Sequence, residues 1–331
     1  MIISRTPLRV SFAGGGTDLP AYYMHEPGAV VSTAIDKYIY INVNQKFDHR
    51  IRASYSVTEM VDTPAELQHD LIREGLALTG IPGGIEITSI SDIPSSGTGL
   101  GSSSSYAVGL LNALYAYLGK RVGAARLGAE ACQIEIERCG KPIGKQDQYI
   151  AAFGGLQYIQ FNPDGTVFVD PIVCKRATRQ SLQESLIMLY TGLTRSADGI
   201  LKEQSQNTAS EADKRKTLRQ MKGQADSLRE ALEKDDLDAF GAVLHEGWML
   251  KRTLASGISS GQIDHWYETA RKHGAKGGKL LGAGGGGFLL FYADPDRHDA
   301  ICKALPELRS VGVELEPQGS KIVYIEENQK S

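Results

Sequence analysis

Cysteine and histidine are scarce in this chain, and their spacing matches no metal site. Among 331 residues there are four cysteines and seven histidines, with no C-x-x-C pair and no H-E-x-x-H motif. A disulfide framework is not expected in a chain of this length, so we expect free thiols in a reducing compartment. Zinc-finger proteins and disulfide-rich secreted domains are thereby excluded.

Long apolar runs and clusters of basic residues are also missing. No segment approaches the roughly 20 apolar residues that span a bilayer, and the N-terminus lacks the apolar core of a signal peptide. The net charge is −3, with Lys and Arg spread along the chain. A nucleic-acid-binding protein would show a clustered basic face. We therefore expect a cytoplasmic protein with no membrane or nucleic-acid partner.

Strand and helix patterns alternate irregularly along the chain. Apolar, β-branched and aromatic residues predict strands over residues 2–12, 29–43, 85–87, 156–169 (a hairpin), 186–190, 288–292 and 321–325. Helices are predicted over residues 64–79, 103–118, 124–138, 197–254, 260–273 and 296–307. This mixed order predicts an α+β fold. The polar stretch from Lys175 to Glu184 predicts a boundary between two domains, residues 1–178 and 179–331.

The strongest functional signal is a glycine- and serine-rich segment over residues 93–105. It contains Gly97, Gly99, Gly101, Ser102, Ser103 and Ser104. The segment follows a predicted strand and opens a helix, where glycine backbone and free N–H groups bind phosphate. A flexible loop with a serine helix cap is the alternative. Residues 140–146 do not complete the G-x-x-x-x-G-K-[ST] motif of P-loop proteins.

Two further glycine clusters lie at residues 13–18 and 277–288. So many glycines are costly for folding, and a tight turn needs only one or two. We interpret the cluster at 277–288 as a turn between helix and strand that forms another backbone wall of the site, where Gly284 and Gly285 would contact the substrate.

Together, the three clusters resemble the superfamily of galactokinase, homoserine kinase, mevalonate kinase and phosphomevalonate kinase (GHMP kinases). The matching motifs are residues 7–14, Pro94 with residues 99–103, and residues 279–287. The resemblance implies a ribosomal-protein-S5-like N-terminal domain, a ferredoxin-like C-terminal domain, and a site between them that uses ATP and Mg²⁺.

The resemblance also implies roles for individual residues. Asp147 would take the proton of the acceptor hydroxyl or orient that hydroxyl. Arg9 would be the basic residue of the first strand, with Arg5 as the alternative. Ser103 and Glu137 would hold Mg²⁺, with Glu135 as the rival to Glu137.

The substrate is implied by a narrower resemblance. Galactokinases carry Gly-Glu-His-Thr-Asp where this chain has three glycines followed by Thr17 and Asp18. Residues 13–18, 144–148 and 191–195 resemble bacterial D-glycero-D-manno-heptose 7-phosphate kinases, which phosphorylate the anomeric hydroxyl for GDP-heptose and capsule synthesis. Lys145 and Arg195 would bind the substrate phosphate, and Thr17 and Asp18 the sugar.

Three points stay open at this stage. An unphosphorylated hexose, as in fucokinases, is the alternative substrate. A ligand sensor that has lost catalysis is a less favoured alternative function. A homodimer is compatible with the sequence.

Overall fold

The computed structural model describes residues 1–94, 97–194 and 196–326. Its strands are β1 Ile2–Ala13, β2 Gly28–Gln45, β3 Ile51–Ser54, β4 Thr58–Val61, β5 Ile85–Ser91, β6 Leu156–Phe161, β7 Val167–Pro171, β8 Leu186–Tyr190, β9 Gly277–Leu280, β10 Phe288–Tyr292, β11 Arg309–Val311 and β12 Lys321–Ile325. Its helices are α1 Pro20–Tyr23, α2 Asp70–Thr79, α3 Ser102–Tyr117, α4 Ala124–Cys132, α5 Gln146–Phe153, α6 Arg176–Glu184, α7 Ala197–Ser210, α8 Ala212–Glu233, α9 Phe240–Lys251, α10 Gly261–Lys272 and α11 His298–Ala304.

The first sheet has eight strands in the order β12-β1-β2-β5-β3-β4, with β6 also paired with β2 and β7 paired with β6. The long strand β2 serves two partners, because residues 28–33 pair with β6 and residues 39–45 pair with β5. α3 packs closely on β1, where a Cβ at Gly109 would lie 2.7 Å from the Thr6 hydroxyl. This close packing brings the N-terminus of α3 beside the end of β1.

The second sheet has four antiparallel strands in the order β11-β8-β10-β9. All five residues of β10 are buried, as its unbroken apolar sequence predicts. The chain passes from the first sheet to the second between β7 and β8. The last strand, β12, returns to pair with β1 in the first sheet. The boundary at residue 178 stays a prediction.

Strands β3, β4 and β11 and helices α1, α5 and α6 were not predicted from the sequence, and three predicted segments differ in type or bounds. The helix predicted over residues 64–79 is a short 3₁₀ turn, Pro64–Glu66, followed by α2. The carboxylate of Glu59 accepts the N–H groups of Gln68 and His69, which fixes an extended link before the helix. Residues 277–280 form a buried strand, although the glycine-rich segment was predicted as a turn.

The third difference is the helix predicted over residues 124–138, which changes to a wider π-helix over Gln133–Arg138. π-helical turns occur frequently at functional sites.

The α+β prediction is confirmed. Within the described ranges, no helix is both long and apolar enough to cross a membrane.

Candidate active site

A cavity of about 600 Å³ opens between the two sheets. The end of β1, the glycine loop at 97–101, and the start of α3 and of α5 form one side. The end of α9 and residues 279–283 form the other side. The three glycine clusters, which lie far apart in sequence, all contribute to its lining.

Arg9 and Asp147 form a two-bonded ion pair at this cavity. Arg9 Nε and Nη2 donate to the two carboxylate oxygens of Asp147, both at 2.7 Å. Arg9 Nη1 donates to the carbonyl of Gly99 at 2.6 Å, and the Arg9 backbone N–H donates to Leu100 O. The guanidinium thus fixes the carboxylate of Asp147 and the glycine loop in one arrangement. Asp147 stays partly accessible from the cavity, with 23% of its side chain exposed.

Glycine backbone gives the loop at 97–101 its shape. Gly97, Gly99 and Gly101 all have positive φ angles, between 70° and 76°. A Cβ at Gly99 would lie 2.4 Å from Leu281 O, so the glycine clusters at 93–105 and 277–288 meet backbone to backbone. This contact explains why both segments are so rich in glycine.

The N-terminus of α3 faces the same cavity. Its first helical bond runs from Ser105 N–H to Gly101 O, which leaves the N–H groups of Ser102, Ser103 and Ser104 without an intrahelical acceptor. All three serines line the cavity. The free N–H groups and the helix dipole make this end a ready anion site.

Ser103 pairs with Glu135, the rival weighed against Glu137. Ser103 Oγ donates to Glu135 Oε1 at 2.6 Å, and Gln148 Nε2 donates to Glu135 Oε2 at 2.6 Å. Glu135 is fully buried and lines the cavity, whereas Glu137 is exposed and does not. Burial raises the pKa of Glu135, and nearby Asp147 adds to this. The structure therefore places Glu135 at the position expected for Glu137.

This arrangement suits a magnesium ion. Mg²⁺ is bound through one or two protein oxygen ligands together with substrate phosphates and water. The Ser103 hydroxyl and the Glu135 carboxylate supply such ligands beside the anion-binding end of α3. Among the described residues, no group of three or more His, Cys, Asp or Glu side chains could hold a metal without a substrate.

Asp18 lines the cavity, but Thr17 does not. Asp18 is 4% exposed, and its carboxylate accepts the N–H groups of Gly16 at 3.0 Å and Gln146 at 3.3 Å. Burial, and then the charge of Asp147, raise the pKa of Asp18. The Thr17 hydroxyl instead bonds the backbone of Gly14 and Ala29 in the core. Thr17 therefore shapes the loop and does not contact the cavity.

Two predicted substrate ligands in the last glycine cluster lie behind the cavity wall. A Cβ at Gly284 would lie 2.6 Å from Ile258 Cα, and Gly285 N–H donates to Ile258 O. Both glycines pack against the connection between α9 and α10. The cavity is lined instead by their neighbours Gly282 and Ala283.

Lys145, one of the two cations expected for a substrate phosphate, is not in the lining. Lys145 Nζ donates to Gly165 O at 3.0 Å and lies over the ring of Tyr23. Arg195 lies outside the described residues. Arg5, the alternative to Arg9, pairs with Glu316 and stacks on Tyr38, so Arg9 is the arginine that the structure places at the site.

Several polar residues of the lining were not predicted as site residues, among them Gln204, Lys251 and Lys279. Gln204 is 3% exposed and occupies the space above Gly16, where a Cβ would lie 2.4 Å from its Nε2. Gly16 therefore admits this side chain. Lys279 lies inside the third motif, but nothing in the sequence shows that Lys251 on α9 joins it.

Known proteins that are similar to this chain carry the names of kinases for sugars or sugar phosphates. The chain is 29% identical to the D-glycero-alpha-D-manno-heptose 7-phosphate kinase of Campylobacter jejuni, over 92% of this chain and 93% of that protein. It is 27% identical to the L-fucokinase/L-fucose-1-P guanylyltransferase of Bacteroides fragilis, over 97% of this chain but 38% of that longer protein. The crystal structure of a D-glycero-D-manno-heptose 1-phosphate kinase from Bacteroides thetaiotaomicron superposes with a TM-score of 0.81 at 26% identity, covering 98% of this chain and 100% of that one.

Two family models match the chain in the expected order. The GHMP kinases N terminal domain matches residues 67–155, and the GHMP kinases C terminal domain matches residues 228–309. Together they cover just over half of the chain. With the glycine loops, the Arg9–Asp147 pair and the two-sheet architecture on either side of one cavity, these matches show that the chain belongs to the GHMP kinases.

Proposed function

We propose that this protein is an ATP-dependent sugar kinase that phosphorylates the anomeric hydroxyl of D-glycero-D-manno-heptose 7-phosphate. The observation that carries the kinase proposal is that two groups of polar side chains face the same cavity. Asp147 is held by Arg9 at one place, and Ser103 is bonded to Glu135 beside the free N-terminus of α3 at another. The first suits an acceptor hydroxyl and the second a nucleotide polyphosphate.

Phosphoryl transfer depends on positioning and charge stabilisation more than on covalent chemistry. The free N–H groups at the start of α3 would hold the polyphosphate of ATP. Mg²⁺, when bound by Ser103 and Glu135, supplies positive charge to the phosphates. The Asp147 carboxylate would accept the proton of the acceptor hydroxyl or orient it, while Arg9 keeps that carboxylate in place. Asp18 would bond the sugar hydroxyls.

The choice of sugar rests on the relatives and on the three short motifs named above. The relatives from Campylobacter jejuni and Bacteroides thetaiotaomicron carry the names of heptose phosphate kinases. With this substrate, the product is a 1,7-bisphosphate, and we place the enzyme in the cytoplasm, in GDP-heptose synthesis for capsule or other surface polysaccharide.

An unphosphorylated hexose is the second candidate substrate. It is favoured by the position of Lys145, which bonds Gly165 O and so offers no charge to a substrate phosphate in the cavity. The relative from Bacteroides fragilis, with fucokinase in its name, points the same way.

The test is ADP release with Mg²⁺ and ATP against a panel of acceptors. The panel holds D-glycero-D-manno-heptose 7-phosphate, mannose, fucose, galactose and mevalonate. Turnover on the heptose phosphate alone supports the proposal. Turnover on a free hexose alone keeps the kinase and replaces the substrate. ATP binding without turnover on any acceptor contradicts the kinase proposal and favours a ligand sensor.

A further inference from the structure

Two lysines lie buried at the cavity without a carboxylate partner. Lys251 ends α9 and Lys279 lies in β9, and their exposed fractions are 7% and 5%. Both line the cavity. Within residues 1–94, 97–194 and 196–326, neither forms an ion pair with Asp or Glu. Buried lysines without a counterion are rare in proteins, because desolvation of the ammonium is costly.

The hydrogen bonds of the two ammonium groups leave donors unused. Lys251 Nζ donates to Leu280 O at 3.0 Å and to Gly282 O. Lys279 Nζ donates to Phe12 O at 3.0 Å. A charged lysine carries three N–H donors. One donor of Lys251 and two of Lys279 therefore have no protein acceptor in the described part of the chain.

Arg9, whose charge acts on both lysines, is already paired with an acid. Its guanidinium bonds both oxygens of Asp147 and the carbonyl of Gly99. The charge of Arg9 is therefore balanced, whereas the charges of the two lysines are not. An anion in the cavity would supply the missing acceptors and the missing negative charge.

We propose that Lys251 and Lys279 form an anion-binding pair that receives a phosphate group of a substrate. The phosphate comes either from the end of the ATP polyphosphate or from a phosphorylated acceptor. The proposal rests on the proposed kinase function for the source of this anion. It assigns a binding role to α9, which carries none of the three glycine motifs.

The electrostatics of the free protein agree with this geometry. Burial, and then the charge of Arg9, lower the pKa of Lys279 to about 7. Burial lowers the pKa of Lys251 well below its ordinary value, and Lys279 and Arg9 lower it further. Of the acids that line the cavity, Asp18, Glu135 and Asp147 are each bonded to other groups, and Asp198 is exposed at the start of α7. Lys141, the other lysine of the lining, pairs with Asp70. Both ammonium groups therefore hold their protons less tightly than an ordinary lysine, and a bound phosphate draws protons onto the pair.

The wild-type protein provides the first test, through proton uptake on binding. Isothermal titration calorimetry is run at a pH of about 8.5, where a terminal phosphate is already deprotonated. Mg·ATP, Mg·ADP and the sugar phosphate are each titrated in two buffers of different ionisation enthalpy. We expect net proton uptake with the ligand that reaches the pair. Uptake with ATP but not ADP identifies the terminal phosphate, and uptake with the sugar phosphate alone identifies the acceptor.

The variants Lys251→Met and Lys279→Met provide the second test. Each should weaken the same ligand by about 30-fold or more and reduce its proton uptake. Lys276→Met, three residues upstream and exposed, is the matched control and should behave as wild type.

Ligand binding to the wild type without proton uptake overturns the anion-binding pair and leaves the kinase proposal intact. Unchanged ligand affinity in folded methionine variants also overturns the anion-binding pair. The lysines would then only link the loops through hydrogen bonds to backbone carbonyls. Failure of the wild type to bind ATP at all is a different result, which contradicts the kinase proposal itself. If the methionine variants do not fold, the wild-type titrations still decide.

Discussion

Replacing Asp147 by asparagine is the sharpest perturbation of the proposed chemistry. The side chain keeps its shape but loses its negative charge and one of its two acceptor oxygens. In the wild type, Arg9 Nε donates to one carboxylate oxygen of Asp147 and Arg9 Nη2 donates to the other, both at 2.7 Å. In the variant one of these bonds is lost, because an amide N–H would face a guanidinium N–H. The fold of the cavity should persist, since Arg9 still bonds Gly99 O.

The expected loss of kcat follows from the proposed role of Asp147 as a general base. A positioned general base contributes about 10²–10⁴-fold to a rate, so kcat should fall by about that factor. The affinity for ATP should change little, because the free N–H groups of α3 do not bond Asp147. The assay is steady-state ADP release together with ATP binding by calorimetry. Asp213→Asn, an exposed aspartate on α8, is the control. A variant that retains kcat within about threefold of wild type would refute the role of Asp147.

Three other predictions concern the metal site, the glycine loop and the buried lysine. Glu135→Gln should raise the Mg²⁺ concentration for half-maximal activity at least about tenfold because it removes the proposed ligand charge. Glu137→Gln should leave this concentration unchanged, and equal effects in a Mg²⁺ titration would contradict the assignment. Gly99→Ala should lower the midpoint of thermal unfolding more than Gly119→Ala. Both positions have positive φ, but a Cβ would meet Leu281 O at 2.4 Å only at Gly99 and would meet nothing within 4 Å at Gly119. Equal shifts would show that the two glycine loops do not meet. The pKa of Lys279 is lowered to about 7, so between that pH and its ordinary pKa the unfolded chain binds more protons than the folded one. The free energy of unfolding of the wild type should therefore rise relative to Lys279→Met as pH increases from about 7 to 10, as urea denaturation would measure, and a constant difference would contradict this.

Local sequence patterns predicted most strands of the two sheets. The strands over residues 2–12, 186–190, 288–292 and 321–325 reappear within one residue of their predicted ends. They are apolar or alternating runs, whose periodicity the sequence displays directly. The helix predicted over residues 64–79 began too early, because the hydroxyl of the preceding Thr63 bonds the Glu66 side chain and caps no helix N–H.

Residues of the candidate site could be predicted from the sequence only where they lie within a short motif. Arg9 and Asp147 belong to different motifs, and the structure brings them together as a pair. Glu135 and Glu137 could not be separated from sequence, since regular helical spacing does not reveal the π-helical turn that carries them. Thr17, Gly284 and Gly285 belong to the right loops but face the protein interior.

Residues brought to the site by tertiary packing gave no local signal. Lys251 ends an ordinary helix, and only the packing of α9 against β9 places its ammonium on the carbonyls of Leu280 and Gly282. Gln204 similarly reaches the cavity because Gly16 leaves room for it. Such long-range contacts depend on how the elements pack and not on the pattern within any one of them.

The most direct test of the central claim follows the phosphoryl group itself. The protein is incubated with Mg²⁺, ATP labelled with ³²P at the terminal phosphate, and D-glycero-D-manno-heptose 7-phosphate, and the products are separated. We predict that the label appears in a sugar bisphosphate with acid-labile phosphate at the anomeric position, and that Asp147→Asn nearly abolishes this transfer. Label that stays in ATP, or that appears only as inorganic phosphate while both substrates are bound, would contradict the account.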